Sequence, residues 1–488
     1  MKIKHQRVDI PFPVQAYPYP DLIDNEAYCL FESSEIDAQN QRVSLLGFDP
    51  IFEVVSGRDQ LSLRLTNRAF RPLFCDLVAM FDKKEDTKLC DDSVTIFFPR
   101  EAFQEEEDQR FRQNIPARIL PQILKLLPNN SGFCGLYGAF AHTFVYQFEE
   151  VKEHKTPESP DFRFFLFSKI LVCNHLTQTC FIDSLLPSGE KLEPKFTHPK
   201  TYEIPESKSE FTVGAPVISP EDEIFKSLIL ESKTLFEKGE LMELVLSRKL
   251  ESKFHGEPSL LYQKYAENNP SPYQFYIDFK DEVLLGASPE IMVKLEKGKL
   301  ELKPISGTVP RTGSPIEDHE RLLELLNSTK EKAELDMLID LGRNDLSKVC
   351  KPGIQIDEYR KVESYKHLFH TVARLSGDLE EGRDGLDALG ACLNAGTLTG
   401  APKYAALNKI EEMEPHSRGY YGGCIGYLLP NGDVNTAITI RSCHLKDGRL
   451  KYLAGATLLM DSDPESELRE TEHKMAAFVE SLKEFQDA

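Results

Sequence analysis

The chain has 488 residues, 41% hydrophobic and 28% charged, and 79 Asp and Glu against 58 Lys and Arg leave a net charge of −21. The length permits several ordinary domains or one large elaborated body, and the composition is normal for a soluble globular protein. So acidic a chain is not built chiefly to bind nucleic acid, which needs clustered Lys and Arg. A small anionic substrate stays open, because one local cation can govern a pocket.

The N-terminus, MKIKHQRVDIPFP, holds no apolar core of signal-peptide length, and no window approaches a membrane-spanning run. Residues 1–187 read as a β-rich region. FEVVSGRDQLSLRL is a hairpin bending at Ser56-Gly57, FRFFLFSKILVCNH is a buried strand, and 101–109 is an exposed acidic stretch. Residues 188–220, proline-rich among Ser, Lys and Glu, read as a connector, and 221–488 as a second region. There a helix over 221–239 is expected from Ile224, Leu228 and Leu235. Strands follow in LVLSRKL, YQFYIDF, EVLLGAS and a run from Ile291 that folds back at Lys297-Gly298; helices are expected near 317–342 and 383–393. Asn431-Gly432 and Asp447-Gly448 are further hairpin signals. Hairpins dominate and βαβ alternation is missing, so the expected class is α+β, two antiparallel sheets packed as a sandwich with helices outside. The ten cysteines show no CxxC spacing. Cys134, Cys173 and Cys424, in apolar strands, read as buried free thiols, and a reducing cytoplasm fits best.

Two separate helices each offer a pair of carboxylates. Glu331 and Glu334 are three residues apart in KEKAELDMLIDLG, hence about 60° apart on one face, with Leu335, Leu338 and Ile339 opposite. Glu467 and Glu470 repeat the spacing in DSDPESELRETEHKMAAFVESL, where Ser462 is the candidate N-cap, Lys474 lies one turn on, and Leu468, Met475, Val479 and Leu482 form the buried stripe. If both faces meet at one cavity, four hard oxygen donors suit Mg²⁺. Glu at such spacing is otherwise merely a solvated face.

The surrounding strings resemble the chorismate-utilising family: GELMELVLSRKL (239–250), GASPE (286–290), PISGT (304–308), MLIDLGRNDLSKVCKPG (337–353), HLFHTVARLSG (367–377), CLNAGTLTGAPK (392–403), RGYYGGCIGY (418–427), ITIRS (438–442) and DSDPESELRETEHK (461–474). The resemblance implies the anthranilate synthase-like fold and a set of roles. Glu334 and Glu470 would be the Mg²⁺ ligands, supported by Glu331 and Glu467; Glu290 would be the general acid that protonates the departing ring hydroxyl; His370 would serve the later loss of pyruvate. Thr397, Tyr421, Arg441, Gly455 and Lys474 would bind chorismate, Arg441 by bidentate geometry.

Within the family, water-adding members carry Lys where this chain has Glu243, and aminodeoxychorismate synthases carry Lys where it has Ser306. Ser306 cannot form that amine adduct, so the resemblance is greatest to the large, ammonia-using subunit of anthranilate synthase, which performs the first committed step of tryptophan biosynthesis. It implies attack of ammonia on C2, loss of the C4 hydroxyl and then loss of pyruvate, with ammonia from a separate glutamine amidotransferase subunit. The alternatives are a 2-amino-2-deoxyisochorismate synthase, an aminodeoxychorismate synthase, a water-adding isochorismate synthase and a catalytically silent relative. Three departures stand out: Glu243 for the usual Gln, Thr457 for Gly, and Gln274 for the Met of Trp-regulated members. LFESSEI (30–36) resembles the tryptophan-binding motif of feedback-inhibited members, with Glu32 and Ser33 at its polar positions and Pro272 and Tyr273 in its partner loop. Tryptophan is therefore an expected inhibitor.

Overall fold

Two long strands, Val43–Ser56 and Phe162–Asn174, pair antiparallel along their length and bend at a bulge between Pro50 and Phe52. The computed structural model describes residues 3–10, 26–33, 43–80, 87–99, 110–111, 113–190, 212–365 and 368–483. The acidic stretch 101–109, most of the connector (191–211) and 34–36 lie outside the described residues.

From this central pair the antiparallel ladder continues, and two of its branches lead to the site. One passes through Tyr28–Glu32, Tyr273–Asp278, Glu282–Ser288, Ser442–Lys446 and Arg449–Leu458 to Glu243–His255. The other passes through Leu136–Phe140, Cys424–Leu428, Val434–Ile438, Ile291–Glu296 and Lys299–Leu302 to Leu368–Asp378. The largest core cluster draws Leu45 and Phe164 from the central pair, Cys29, Phe275 and Ile277 from the first branch and Val293, Leu300 and Ile425 from the second. Strands from the N-terminal part of the chain thus pair directly with strands more than 200 residues later, Leu30 opposite Tyr276 and Gly138 opposite Gly426. The result is a mixed helix and strand body around a large antiparallel sheet.

Local turn chemistry behaves as expected. The hairpin after Ser56 closes with the Gly57 N–H donating to Gln60 O, and Lys297-Gly298 and Asp447-Gly448 both turn with positive φ at both residues. Differences arise where packing decides. The helix Asp222–Glu237 buries Phe225, Ile229 and Leu235, whereas Ile224 is exposed, because the neighbouring stripe meets the strands. The expected helix near 317–342 is two, Pro315–Asn327 and Thr329–Ser347, broken at Ser328, whose hydroxyl caps the second by accepting from Glu331 N–H. At the last helix, Pro464–Lys483, Asp463 rather than Ser462 accepts from a first-turn N–H, that of Ser466, and Phe478 rather than Val479 is fully buried. The connector's end is not bare: Thr212–Val213 and Val217–Ser219 pair with Glu243–His255. Cys134 and Cys424 are free and buried, but Cys173 is bonded to Cys180 across a hairpin. Among the described residues no helix is long and apolar enough to cross a membrane.

Candidate active site

Four elements carry the acidic wall of the site. The helix Thr329–Ser347 buries Leu335, Leu338 and Ile339 against the strands, which turns Glu331 and Glu334 toward the strand Ile305–Pro310. Ser306 Oγ lies 3.5 Å from a Glu334 carboxylate oxygen, and a Cβ on Gly307 would come 2.9 Å from Glu331 Oε2. The helix Pro464–Lys483 brings Glu467 and Glu470 to the same place. Burial first, and then the negative charge of Glu331 and Glu470, raise the Glu334 pKa; Glu470 likewise raises Glu331 and Glu467 after burial. The start of the strand Glu243–His255 adds Glu243, 3% exposed, pushed up to about 8 by burial and by Glu334.

These carboxyl groups face one another with few counter-charges: Lys330 Nζ stands 3.8 Å from Glu334, and Lys474 Nζ 2.5 Å from Glu470. Convergent, like-charged oxygen donors are the surroundings a divalent cation relieves. Among the described residues no three His, Cys, Asp or Glu side chains form a ready cage. Mg²⁺ takes one or two carboxylates and keeps water and substrate oxygens, so Glu334 and Glu470 alone would serve as its protein ligands. The donor set fits.

Beside the acids stand two cations, Lys474 and Arg441. Lys474 Nζ donates to Gly455 O at 2.8 Å as well as to Glu470, and its pKa is lowered by burial against the pull of that carboxylate. Arg441 sits at φ 49°, its carbonyl pinned by Ala287 N–H and the Tyr265 hydroxyl. Its charge acts on Glu290, His370, Tyr421 and Lys474 together, so the five side chains share one basin. A Cβ on Gly455 would meet the Tyr421 hydroxyl at 2.9 Å, so only glycine leaves that surface open.

Glu290, 7% exposed, follows the strand Glu282–Ser288 and receives the Thr397 hydroxyl at 3.3 Å on each carboxylate oxygen. Burial, outweighing Thr397 and the Ile305 N–H, pushes it up to about 8, so it is protonated near neutrality and able to donate. His370 is buried under the strand Ile305–Pro310, with Nδ1 2.8 Å from Thr308 Oγ1; burial chiefly drives it down to about 4, so it is a neutral imidazole. One basin thus gathers the Glu290 carboxyl, the neutral His370 imidazole, the cations Arg441 and Lys474 and a group of glutamates.

A profile of chorismate binding enzymes matches residues 77–480. The chain belongs to that family. It is 31% identical to anthranilate synthase component 1 of Buchnera aphidicola subsp. Rhopalosiphum maidis over 99% of both chains, and 32% identical to that of Aquifex aeolicus over 76% of this chain and 78% of the relative. Its fold matches anthranilate synthase component I from Streptococcus pneumoniae TIGR4 with a TM-score of 0.72 at 25% identity, covering 91% of this chain and 94% of that one. The menaquinone-specific isochorismate synthase MenF of Escherichia coli shares the fold at TM-score 0.67 and 16% identity. This protein is a chorismate-utilising enzyme.

Sequence reasoning missed the residues that hold the basin in shape. Arg418, 5% exposed, donates to both Glu414 oxygens, to Leu398 O at 2.7 Å and to Val245 O at 2.8 Å. It thereby ties the Thr397 turn to the Glu243 strand and to the turn carrying Tyr421. Thr308 closes the PISGT string, but its partnership with His370 needs the strand register, Thr308 opposite His370. Away from these residues, a cavity of about 660 Å³ brings Glu32, Ser33, Pro272 and Tyr273 together, with Gln274 on its wall. There Glu32 accepts from the Tyr262 hydroxyl and is pushed up to about 7 by burial, while the Gln274 amide donates to Ala266 O at 2.7 Å.

Proposed function

We propose that the chain is the ammonia-using subunit of an anthranilate synthase, converting chorismate and ammonia to anthranilate and pyruvate with Mg²⁺. The observation that carries this reading is Ser306 beside the Glu331 and Glu334 wall, a position whose side chain carries no amine to add to the ring. Arg441 and Tyr421 would seat the enolpyruvyl carboxylate, and Lys474 would add charge to that seat. Glu290 would hand its proton to the C4 hydroxyl as ammonia attacks C2. His370, neutral, would then take the C2 proton as pyruvate leaves. A Mg²⁺ ion held by Glu334 and Glu470, with Glu331 and Glu467 behind them, would supply Lewis-acid stabilisation of the ring carboxylate and orient the substrate.

The names of the relatives support the reading at modest identity. It further takes ammonia from a glutamine amidotransferase subunit, treats 1–187 and 221–488 as regulatory and chorismate-binding regions and the two strand branches as two packed sheets, and assigns the Glu32 cavity to tryptophan as inhibitor. Glu243 favours a second reading, a relative with impaired turnover, since its carboxyl faces Glu334. Mixing the protein with chorismate, Mg²⁺ and ammonium at alkaline pH tests these. Anthranilate fluorescence is expected, with inhibition by millimolar tryptophan; isochorismate or unchanged chorismate would overturn the assignment.

A further inference from the structure

We propose that Thr308 is the positioning residue that decides whether the aminated ring acid is released or goes on to lose pyruvate, acting through the imidazole of His370. The inference rests on the function proposed above.

Thr308 and His370 face each other across the antiparallel pair Ile305–Pro310 and Leu368–Asp378. Thr308 is exposed at the rim, and His370, 8% exposed, lies beneath it with Nδ1 2.8 Å from the hydroxyl. On another side the Tyr365 ring meets the imidazole edge-on, centroids 5.3 Å apart at 73°. That tyrosine is itself held, its hydroxyl donating to Glu363, which in turn pairs with Lys303 Nζ at 2.7 Å. The Gly307 carbonyl draws an imidazole N–H, so the backbone and a single hydroxyl from one strand set the ring's rotation. Ser306, two residues before Thr308 across a bulge, touches Glu334. One short strand therefore meets both the acidic wall, where the ring is activated, and the base that finishes the reaction.

The two stages make different demands. Addition of ammonia needs the acid, the anion seat and the metal wall. Loss of pyruvate needs a base aimed at C2: the C2–H bond breaks and its proton goes to the imidazole, its electron pair closes the aromatic ring, and the C3–O bond breaks. The departing enolpyruvate takes up a proton as pyruvate. No oxidant or reductant enters. A ring free to rotate fails the second demand while leaving the first intact, so the product ratio rather than the overall rate reports on Thr308.

The test incubates wild type, Thr308→Val, Thr308→Ala and Thr308→Ser with chorismate, Mg²⁺ and ammonium. Anthranilate and 2-amino-2-deoxyisochorismate are quantified per chorismate consumed. Losing one positioning hydrogen bond is expected to lower the ratio of anthranilate to the amino intermediate about tenfold in Thr308→Val and Thr308→Ala. Thr308→Ser, which keeps the hydroxyl, restores it. A wild-type ratio in Thr308→Val or Thr308→Ala overturns the proposal, as does a low ratio in Thr308→Ser. If wild type itself forms no anthranilate, the functional reading falls and the proposal with it; if only the variants behave like wild type, the functional reading stands and the proposal alone fails.

Discussion

Two regions of this molecule bury carboxylates, and they do so in opposite ways. Glu282, fully enclosed, is surrounded by cations and hydrogen-bonding partners: Arg163 at 2.9 Å, Lys446 at 3.4 Å, the His444 ring at 2.9 Å and the Tyr420 hydroxyl donating at 3.0 Å. Against the cost of burial, the His444 hydrogen bond and these charges hold it far below the usual carboxylate range. In the catalytic basin Glu243, Glu331, Glu334 and Glu467 are all shifted upward, since burial there is joined by repulsion from neighbouring acids. A buried carboxylate alone therefore says little. Whether its neighbours complete its charge or leave it unanswered separates a structural post from a site awaiting a cation and a substrate.

The comparison breaks most visibly at the metal wall. Glu334→Gln and Glu470→Gln are each expected to lower Mg²⁺-dependent chorismate turnover by about 10³-fold or more with thermal unfolding little changed. Steady-state kinetics beside a melting curve decides it, and near-normal activity in both variants would remove the proposed metal site. Glu282→Gln should do the converse, since it leaves part of the Arg163 charge uncompensated: stability falls by about 3 kcal/mol in denaturant titration. A variant as stable as wild type would show that the cation cage is not structural.

The smallest expected effect sharpens the contrast. Glu243 binds its proton more tightly when folded, about 8 against an ordinary 4.5, so between those values the folded chain holds a proton the unfolded one lacks. Stability contributed by that proton is present at low pH and is lost as pH rises toward 8. Glu243→Gln has no such loss and should be more stable than wild type at pH 9, by on the order of 2 kcal/mol, with the gap shrinking toward pH 5. Urea titrations in chelator at the two pH values measure it; a gap independent of pH would mean Glu243 is ionised throughout.

Much of the site was legible because its parts are local. The i, i+3 carboxylate pairs follow from helical geometry, but Leu335 and Leu338, each four residues after one of those glutamates, lie on the same side of the helix rather than opposite, and they bury that side beneath the carboxylates. Arg418 was not legible, because its importance lies in three carbonyl and carboxylate partners drawn from residues as distant as Val245. Glu282 reads in sequence as one more strand-end acid; only its enclosing cations distinguish it.

What the chain's own order of residues determined is short-range: turns at Lys297-Gly298 and Asp447-Gly448, helical faces, strand alternation and the run of motifs that marks the family. These depend on backbone sterics and on neighbours within a few positions. Tertiary structure alone decided that Glu331 and Glu334 come within the field of Glu470, that Ile224 faces water, and that Thr308 lies against His370. Those outcomes depend on desolvation and electric field, which sum over groups brought near by folding from far along the chain.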